Sequence, residues 1–209
     1  MTGKKYYVVW IGKQTGVFSD WKDCQEAVQG AVGAKFKAFN HKDIAEIAYK
    51  MGPGVNIWDR ISEMEYKALS KKLELPILNS LSVDAACSGN PGIMEYRGVD
   101  TRSGIELFSQ GPFDDATVNI GEFLALVHGL AQLKKEKKVI PIYSDSKTAI
   151  KWVNDKHVNT RLERSHRNKQ VFEFVSRAVI WLKSNEYSNQ ILKWDTGNWG
   201  EIPADYGRK

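Results

Sequence analysis

The order of apolar patterns between residues 80 and 194 is the feature that most constrains how this 209-residue chain can fold. Three strand-like segments come first, and a Ser-Gly-Asn-Pro-Gly turn between the first two predicts a hairpin. A helix, a strand, two helices and a last strand follow. This order predicts an α/β fold in which a mixed five-stranded sheet is flanked by helices. The segments, in chain order, are 80–87, 91–101, 104–109, 119–135, 139–143, 145–155, 163–184 and 191–194.

A second, smaller pattern occupies residues 1–50. Three strand-like segments alternate with two helical patterns there, and aromatic residues supply a large apolar area for so short a stretch. We therefore predict a small α+β domain at 1–50, which precedes a larger domain at 80–209. Residues 51–79 begin with Met-Gly-Pro-Gly and carry balanced charges, and this composition predicts a linker that could include a helix.

Four acidic residues of the larger domain lie in distinctive sequence surroundings. Asp84 falls on a predicted strand, in SVDAACSGNPG, and Asp205 falls in the tail, in WGEIPADYGRK. Glu122 lies in NIGEFLALVHGL, in the first turn of a predicted helix that Asn119 would cap. Asp145 lies in IYSDSKTAIKWV, between a strand and a helix, which is the usual position of a site in open α/β sheets. Any one of the four alone would be an ordinary surface charge.

A set of carboxylates suits the binding of hard divalent cations. Mg²⁺ is a hard cation that prefers oxygen ligands and binds through one or two carboxylates together with water and substrate phosphate. Two such ions about 4 Å apart stabilise both the attacking and the leaving oxygen. An acidic cluster without a cysteine and histidine ligand set indicates magnesium or manganese rather than zinc.

The four acidic segments, in this order, resemble the catalytic core of the type 1 ribonucleases H over about residues 80–209. That family cuts the RNA strand of RNA/DNA hybrids with two Mg²⁺ ions, for which Mn²⁺ is a possible substitute. The resemblance implies that Asp84 bridges both ions and that Asp205 completes the site that activates water. It further implies that Glu122 and Asp145 hold the ion near the leaving 3′ oxygen. Glu201, in the final loop, would assist metal movement and product release.

The resemblance also implies two sets of substrate contacts. One set meets the RNA backbone, and the other grips the DNA strand away from the cut. Val118 and Arg161 depart from the family pattern, which often has a polar residue at the first position and a hydroxyl at the second. The implied contacts are Gly89, Asn90 and Asn119 for the RNA, and Thr117, Asn119, Thr160 and Trp152 for the DNA.

The first 50 residues resemble the hybrid-binding, or viroplasmin-like, domain that precedes many type 1 ribonucleases H. The pattern that carries the resemblance is YYVVWIGKQTGVFSDWKDC, followed by GAKFKAF. It implies that Trp21 and Phe36 stack on the DNA strand, with Tyr7, Lys13 and Lys37 as supporting contacts. Eight lysines against five acidic residues make this stretch basic, which suits a polyanion. The alternative is that Trp21 and Phe36 are core residues.

These observations predict a metal-dependent endoribonuclease that acts on RNA/DNA hybrids and leaves 5′-phosphate and 3′-hydroxyl ends. One alternative is a non-catalytic hybrid-binding protein that keeps the fold, against which the four carboxylates argue. Another is an integrase-like or junction-cutting nuclease, which the front domain and the Asn-Pro-Gly turn disfavour. The expected partner is an RNA/DNA hybrid, and we expect a monomer with no membrane segment. Two cysteines, expected as reduced thiols, predict a cytoplasmic location.

Overall fold

A computed structural model describes residues 4–207, which fold into two compact units. The first unit joins the chain up to Pro76 with Asp195–Glu201, and the second contains Ile77–Trp194 and the residues from Ile202 onward. The predicted division into 1–50, 51–79 and 80–209 stays a prediction, and its ends at 1–3 and 208–209 lie outside the described residues. The units differ from it, since 51–76 and 195–201 belong to the first unit and 77–79 belong to the second.

The first unit contains a three-stranded antiparallel sheet with two helices. The sheet order is β2-β1-β3. Val9 of the central strand packs with Cys24 and Ala27 in a small buried cluster. The side chain of Asp20 accepts a hydrogen bond from the backbone N–H of Lys22 and thereby caps the first helix. The elements are β1 (Tyr6–Ile11), β2 (Gly16–Phe18), α1 (Trp21–Val28), β3 (Lys35–Phe39) and α2 (Lys42–Met51).

Residues 51–76 pack within the first unit through helices α3 (Ile57–Arg60) and α4 (Glu63–Ser70). Trp58 is fully buried, and its indole Nε1 donates to the carbonyl oxygen of Trp199 at 2.9 Å. Trp199 in turn donates from its own indole Nε1 to the carbonyl oxygen of Glu74 at 2.9 Å. These buried aromatic contacts explain why the stretch joins the unit rather than forming an extended linker.

The second unit is built on the predicted mixed five-stranded sheet, in the order β6-β5-β4-β7-β8. β5 runs antiparallel to both β4 and β6, whereas β7 runs parallel to both β4 and β8. The α/β fold expected from the order of apolar patterns is therefore confirmed. The elements are β4 (Leu81–Gly89), β5 (Gly92–Asp100), β6 (Glu106–Ala116), α5 (Val118–Lys135), β7 (Ile142–Ser144), α6 (Lys147–Asp155), α7 (Lys169–Ser184) and β8 (Ile191–Lys193).

Helix α5 is apolar around most of its circumference and lies in the core of the second unit. Two glycines allow its backbone to approach β4. A Cβ added at Gly121 would lie 2.7 Å from the Cβ of Ala85, and one added at Gly129 would lie 2.7 Å from Cδ2 of Leu81. This close packing sets the position of every side chain on α5 relative to the sheet. Within residues 4–207, no helix is both long enough and apolar enough to cross a membrane.

All three helices of the second unit begin at positions that differ from the predictions. Helix α6 begins at Lys147 rather than at 145, because the Ser146 side chain caps it by accepting from the Ala149 N–H. Helix α5 begins at Val118, with Thr117 as its N-cap residue, because the carbonyl of Thr117 already accepts from the N–H groups of residues 120 and 121. The prediction that Asn119 caps it was wrong, and Glu122 lies in the second turn. Helix α7 begins at Lys169 rather than at 163, because the Asn168 side chain donates to the Glu163 carbonyl at 2.9 Å and holds this stretch in a turn.

Candidate active site

The structure brings three of the four singled-out carboxylates together on the second unit. Asp84 lies on β4, Glu122 on α5 and Asp145 in the short connection between β7 and α6. One carboxylate oxygen from each lies within 4.8 Å of the other two. The parallel pairing of Ser82 with Tyr143 places Asp84 and Asp145 side by side, since each lies two residues further along its strand direction. We call these three residues the acidic triad.

The acidic triad is electrostatically unfavourable by itself. Asp84 is only 8% exposed, and burial together with the charge of Asp145 raises the pKa of its carboxyl to about 8. Burial also raises the pKa of Glu122 to about 7, although a hydrogen bond from the Ser146 hydroxyl opposes the shift and the charge of Asp145 adds to it. Like charges and burial thus both disfavour the fully ionised triad.

The donor set of the triad fits a divalent cation. All its donors are oxygens, which suit Mg²⁺ or Mn²⁺. The Oε2 atom of Glu122 is buried, and it has no hydrogen-bond partner among the residues that the structure describes. A buried carboxylate oxygen without a hydrogen-bond donor is costly, and a bound cation would relieve this cost.

Asp205 lies outside the acidic triad, but its charge affects the pKa of Asp84. Its negative charge is among the groups that raise the pKa of Asp84, after burial and the charge of Asp145. Its Oδ2 atom accepts a hydrogen bond from the backbone N–H of Gly207 at 2.8 Å. The segment that carries Asp205 is held by Arg97, which donates from Nη2 to the Asp205 carbonyl at 2.7 Å.

Arg97 was missed by the sequence reasoning, although the hairpin carries a signal for it. Gly89 and Gly92 pair across the turn, and counting outward from them along both strands pairs Asp84 with Arg97. Residues directly opposite in an antiparallel ladder share a face of the sheet. The position of the Ser-Gly-Asn-Pro-Gly turn was therefore sufficient to indicate Arg97 as a neighbour of the predicted site.

Glu201 lies in the first unit. Its carboxylate accepts a hydrogen bond from Nζ of Lys37 at 2.9 Å. This ion pair joins two residues for which the sequence implied separate roles, one in metal movement and one in hybrid binding. Both roles stay predictions.

The residues implied in RNA contact lie on exposed or half-exposed positions. Gly89 and Asn90 are exposed in the β4–β5 turn, and Gly89 has a φ of 108°, a conformation that favours glycine. Asn119 is half-buried in the first turn of α5. Val118, beside it, packs against the hydrophobic core, and this packing explains why the position holds an apolar residue.

The residues implied in DNA contact differ in how much surface they offer. Thr117 is half-buried at the start of α5, and Thr160 is half-buried with its hydroxyl accepting from the Leu162 N–H at 3.1 Å. Trp152 is only 7% exposed and packs against Phe123 with ring centroids 6.3 Å apart. Most of the Trp152 ring therefore contributes to the core, and its contact with DNA stays a prediction. The departing Arg161 is exposed.

The first unit presents an aromatic surface made by Tyr7, Trp21 and Phe36. Trp21 and Phe36 are each 45% exposed, so neither is a core residue. Their ring centroids lie 5.9 Å apart, and the ring of Trp21 lies 5.3 Å from that of Tyr7. Lys13 is exposed, whereas Lys37 is half-buried through its contact with Glu201. Exposed neighbouring rings of this kind are suited to stacking on bases or sugars.

Two protein families match the chain in separate regions. The family described as "Ribonuclease H1 N-terminal domain" matches residues 5–49, and the family described as "RNase H" matches residues 80–198. Ribonuclease H of Pseudomonas putida is 32% identical over 126 residues, which cover 56% of this chain and 79% of that protein. Ribonuclease H of Francisella philomiragia is 30% identical over 129 residues, which cover 58% of this chain and 82% of that protein.

Solved ribonucleases H are similar at lower identity. RNase H1 from the halophilic archaeon Halobacterium salinarum is 20% identical, with 55% of this chain and 83% of that chain covered and a TM-score of 0.36. LC11-RNase H1, isolated from compost and solved in complex with an RNA/DNA hybrid, is 19% identical, with 55% and 82% covered and a TM-score of 0.34. Both TM-scores are low, so the assignment depends on the sequence matches and the strand order. Because the RNase H family matches more than half of the residues, this chain belongs to the ribonuclease H family.

Proposed function

We propose that this chain is a metal-dependent endonuclease that hydrolyses the RNA strand of RNA/DNA hybrids and leaves 5′-phosphate and 3′-hydroxyl ends. The acidic triad is the observation that carries the proposal, because three carboxylates converge within 4.8 Å in a chain of the ribonuclease H family. The buried, unpartnered Oε2 of Glu122 supports a cation there.

Asp84, Glu122, Asp145 and Asp205 are the residues that would hold two Mg²⁺ ions, with Mn²⁺ as a substitute. Such ions lower the pKa of the attacking water and stabilise the charge that develops on the leaving oxygen. In this arrangement Asp84 would contribute to holding both ions, and Asp205 would complete the site of the ion that serves the attacking water. Glu122 and Asp145 would hold the ion near the leaving 3′ oxygen, and the Ser146 hydroxyl helps to keep Glu122 ionised.

The exposed polar residues of the second unit and the aromatic surface of the first unit are suited to binding an RNA/DNA hybrid. RNA is distinguished from DNA by its 2′-hydroxyls, which are read in the wide minor groove together with the shape of the backbone. Asn90 and Asn119 offer amide groups to such hydroxyls, while Thr117 and Thr160 offer hydroxyl groups to a phosphate of the opposite strand. The aromatic surface of the first unit adds a sequence-tolerant stacking contact.

Cleavage of matched, labelled duplexes in Mg²⁺ tests the proposal. Hybrid, duplex DNA and duplex RNA of one sequence are incubated with the protein and with an Asp145→Asn variant, and the product ends are determined. We expect cleavage of the RNA strand of the hybrid only by the protein with an intact triad. Binding without cleavage would identify a non-catalytic hybrid-binding protein, and cutting of duplex or branched DNA would identify a junction-cutting or integrase-like nuclease.

A further inference from the structure

The segment that carries Asp205 has no regular secondary structure to fix its position. It follows the short helix Thr196–Trp199, and residues 200–207 form neither helix nor strand. Within the segment, the Asp205 N–H donates to the Ile202 carbonyl at 2.8 Å, which closes one turn. A local turn sets the shape of the segment but does not tie it to the sheet.

Arg97 supplies a tie between this segment and the sheet. Its Nε atom donates to the carbonyl oxygen of Ala204 at 2.9 Å, and its Nη2 atom donates to the carbonyl oxygen of Asp205 at 2.7 Å. Its guanidinium carbon also lies 4.5 Å from the ring centroid of Tyr206. Three consecutive residues are therefore held by one side chain. The planar guanidinium, with several donors in a fixed arrangement, suits two successive carbonyls.

The strand register places this tie beside the acidic triad. Arg97 on β5 is the direct cross-strand partner of Asp84 on β4, so both side chains leave the sheet on the same face. The Arg97 Nη1 atom lies 3.9 Å from a carboxylate oxygen of Glu106, on the neighbouring strand. Both hydrogen bonds that the guanidinium donates to this segment go to main-chain carbonyl oxygens, so Arg97 fixes the backbone that carries the Asp205 side chain.

We propose that Arg97 is a positioning residue that holds Asp205 in place as the fourth carboxylate ligand beside the acidic triad. The proposal rests on the proposed function, in which Asp205 binds one of two divalent ions. Arg97 would touch neither the ions nor the substrate and would act only through the main chain of Ala204 and Asp205. Loss of such a supporting contact typically lowers metal affinity by about 10- to 100-fold.

The test compares Arg97→Met, Arg97→Lys, Asp205→Asn and the Arg97→Met/Asp205→Asn double variant in the full-length protein. Methionine keeps an apolar side chain of similar reach and removes the donors. Mn²⁺ binding is measured by titration calorimetry, which resolves the two ion affinities. Arg102→Met is the matched control, because Arg102 is an exposed arginine at the end of the same β5–β6 hairpin.

We expect Arg97→Met to weaken one of the two Mn²⁺ affinities by about 10-fold or more and to leave the other unchanged. Arg97→Lys should recover part of the loss, because an ammonium group can still donate to one carbonyl. The double variant should bind Mn²⁺ as Asp205→Asn does, since the two changes remove the same ligand. Wild-type affinities in Arg97→Met, or losses that multiply in the double variant, would overturn the proposal.

Amide hydrogen exchange separates a failure of this proposal from a failure of the proposed function. Without metal, Arg97→Met should speed exchange at the Asp205 amide by about 10-fold or more relative to wild type and Arg102→Met, because the segment opens more often. If the wild-type protein bound no Mn²⁺ but this difference appeared, the proposed metal-dependent function would be wrong. The proposal that Arg97 holds the segment in place would still be supported. Equal exchange in all three proteins would overturn the positioning role.

Discussion

Asp84 and Asp145 lie next to each other where β4 and β7 run parallel, and the charge of Asp145 disfavours ionisation of Asp84. Burial is the largest cause of the raised pKa of Asp84, and the charge of Asp145 is the next. Two neighbouring carboxylates lower the stability of a metal-free protein at neutral and basic pH. The free energy of unfolding, which is measurable without substrate, therefore reports on the proposed metal site.

The stability of the metal-free protein should fall as the pH rises. The pKa of the Asp84 carboxyl is about 8 in the folded protein against an ordinary value of 3.8, so between these values the folded state binds more protons than the unfolded state. Its contribution to the free energy of unfolding is therefore fully present below pH 3.8 and is lost as the pH rises through about 8. Urea unfolding in a chelator at about pH 6 and pH 9 measures this loss.

Asp84→Asn should raise the free energy of unfolding at about pH 9 by at least about 1 kcal/mol, which corresponds to less than one pKa unit. It should also flatten the dependence on pH. Asp114→Asn, on an exposed position of β6, is the control and should behave as the wild type does. A less stable Asp84→Asn protein at that pH would contradict the electrostatic account.

Asp145→Asn should lower the rate of hybrid cleavage by at least about 100-fold, since stabilisation by a bound ion contributes several kcal/mol. Hybrid affinity should change little, because the amide keeps the shape of the side chain. Asp155→Asn, at the exposed end of α6 where Asp155 pairs with Lys151, is the matched control and should keep full activity. Single-turnover cleavage and equilibrium binding measure the two effects, and near wild-type turnover of a folded Asp145→Asn protein would remove Asp145 from the site.

Trp21→Ala should weaken hybrid binding by about 1–3 kcal/mol, the usual value of one stacking aromatic. The steepness of the salt dependence should stay the same, because that slope reports charged contacts with phosphates. Tyr49→Ala is the control, as Tyr49 is also an exposed aromatic of the first unit but lies on α2. Dissociation constants measured across a salt series test both effects. Unchanged affinity would show that Trp21 does not contact the hybrid.

Gly121→Ala should destabilise the protein by about 1 kcal/mol or more, although alanine is the better helix former by about that amount. The reason is that the new Cβ would lie 2.7 Å from the Cβ of Ala85, which cannot rotate away. Cleavage should also slow, because Glu122 is the next residue of α5 and would be displaced together with Gly121. In the Gly121→Ala/Ala85→Gly double variant, urea unfolding should show a smaller loss than the sum of the two single losses. Additive losses would mean that this contact is not the cause.

The substrate should be a run of ribonucleotides paired with DNA, cut with little sequence preference. Contacts with 2′-hydroxyls through Asn90 and Asn119 would extend over several nucleotides, while Thr117 and Thr160 would require a deoxy strand opposite. Duplexes with one, several or all ribonucleotides in one strand measure this requirement. Cleavage of the single-ribonucleotide duplex at the same rate as the full hybrid would contradict it.

The sequence by itself determined the order and kind of the elements in the second unit, because strand and helix periodicity and the hairpin turn are local signals. It also determined that Asp145 lies between a strand and a helix. Local signals were weaker at helix starts, where several polar residues compete as caps. Thus Thr117 rather than Asn119 is the N-cap residue of α5, and α7 begins at Lys169.

Only the tertiary structure decided which of these residues meet. The parallel pairing of β4 with β7 and the approach of α5 at Gly121 bring Asp84, Glu122 and Asp145 within 4.8 Å, and both depend on packing between segments distant in sequence. The place of residues 195–201 in the first unit likewise depends on the burial of Trp58 and Trp199 rather than on any local pattern. For Arg97, the sequence and the tertiary structure each determine one feature. The hairpin register aligns Arg97 with Asp84. Its hydrogen bond to the Asp205 carbonyl exists only because the folded chain returns to that face of the sheet.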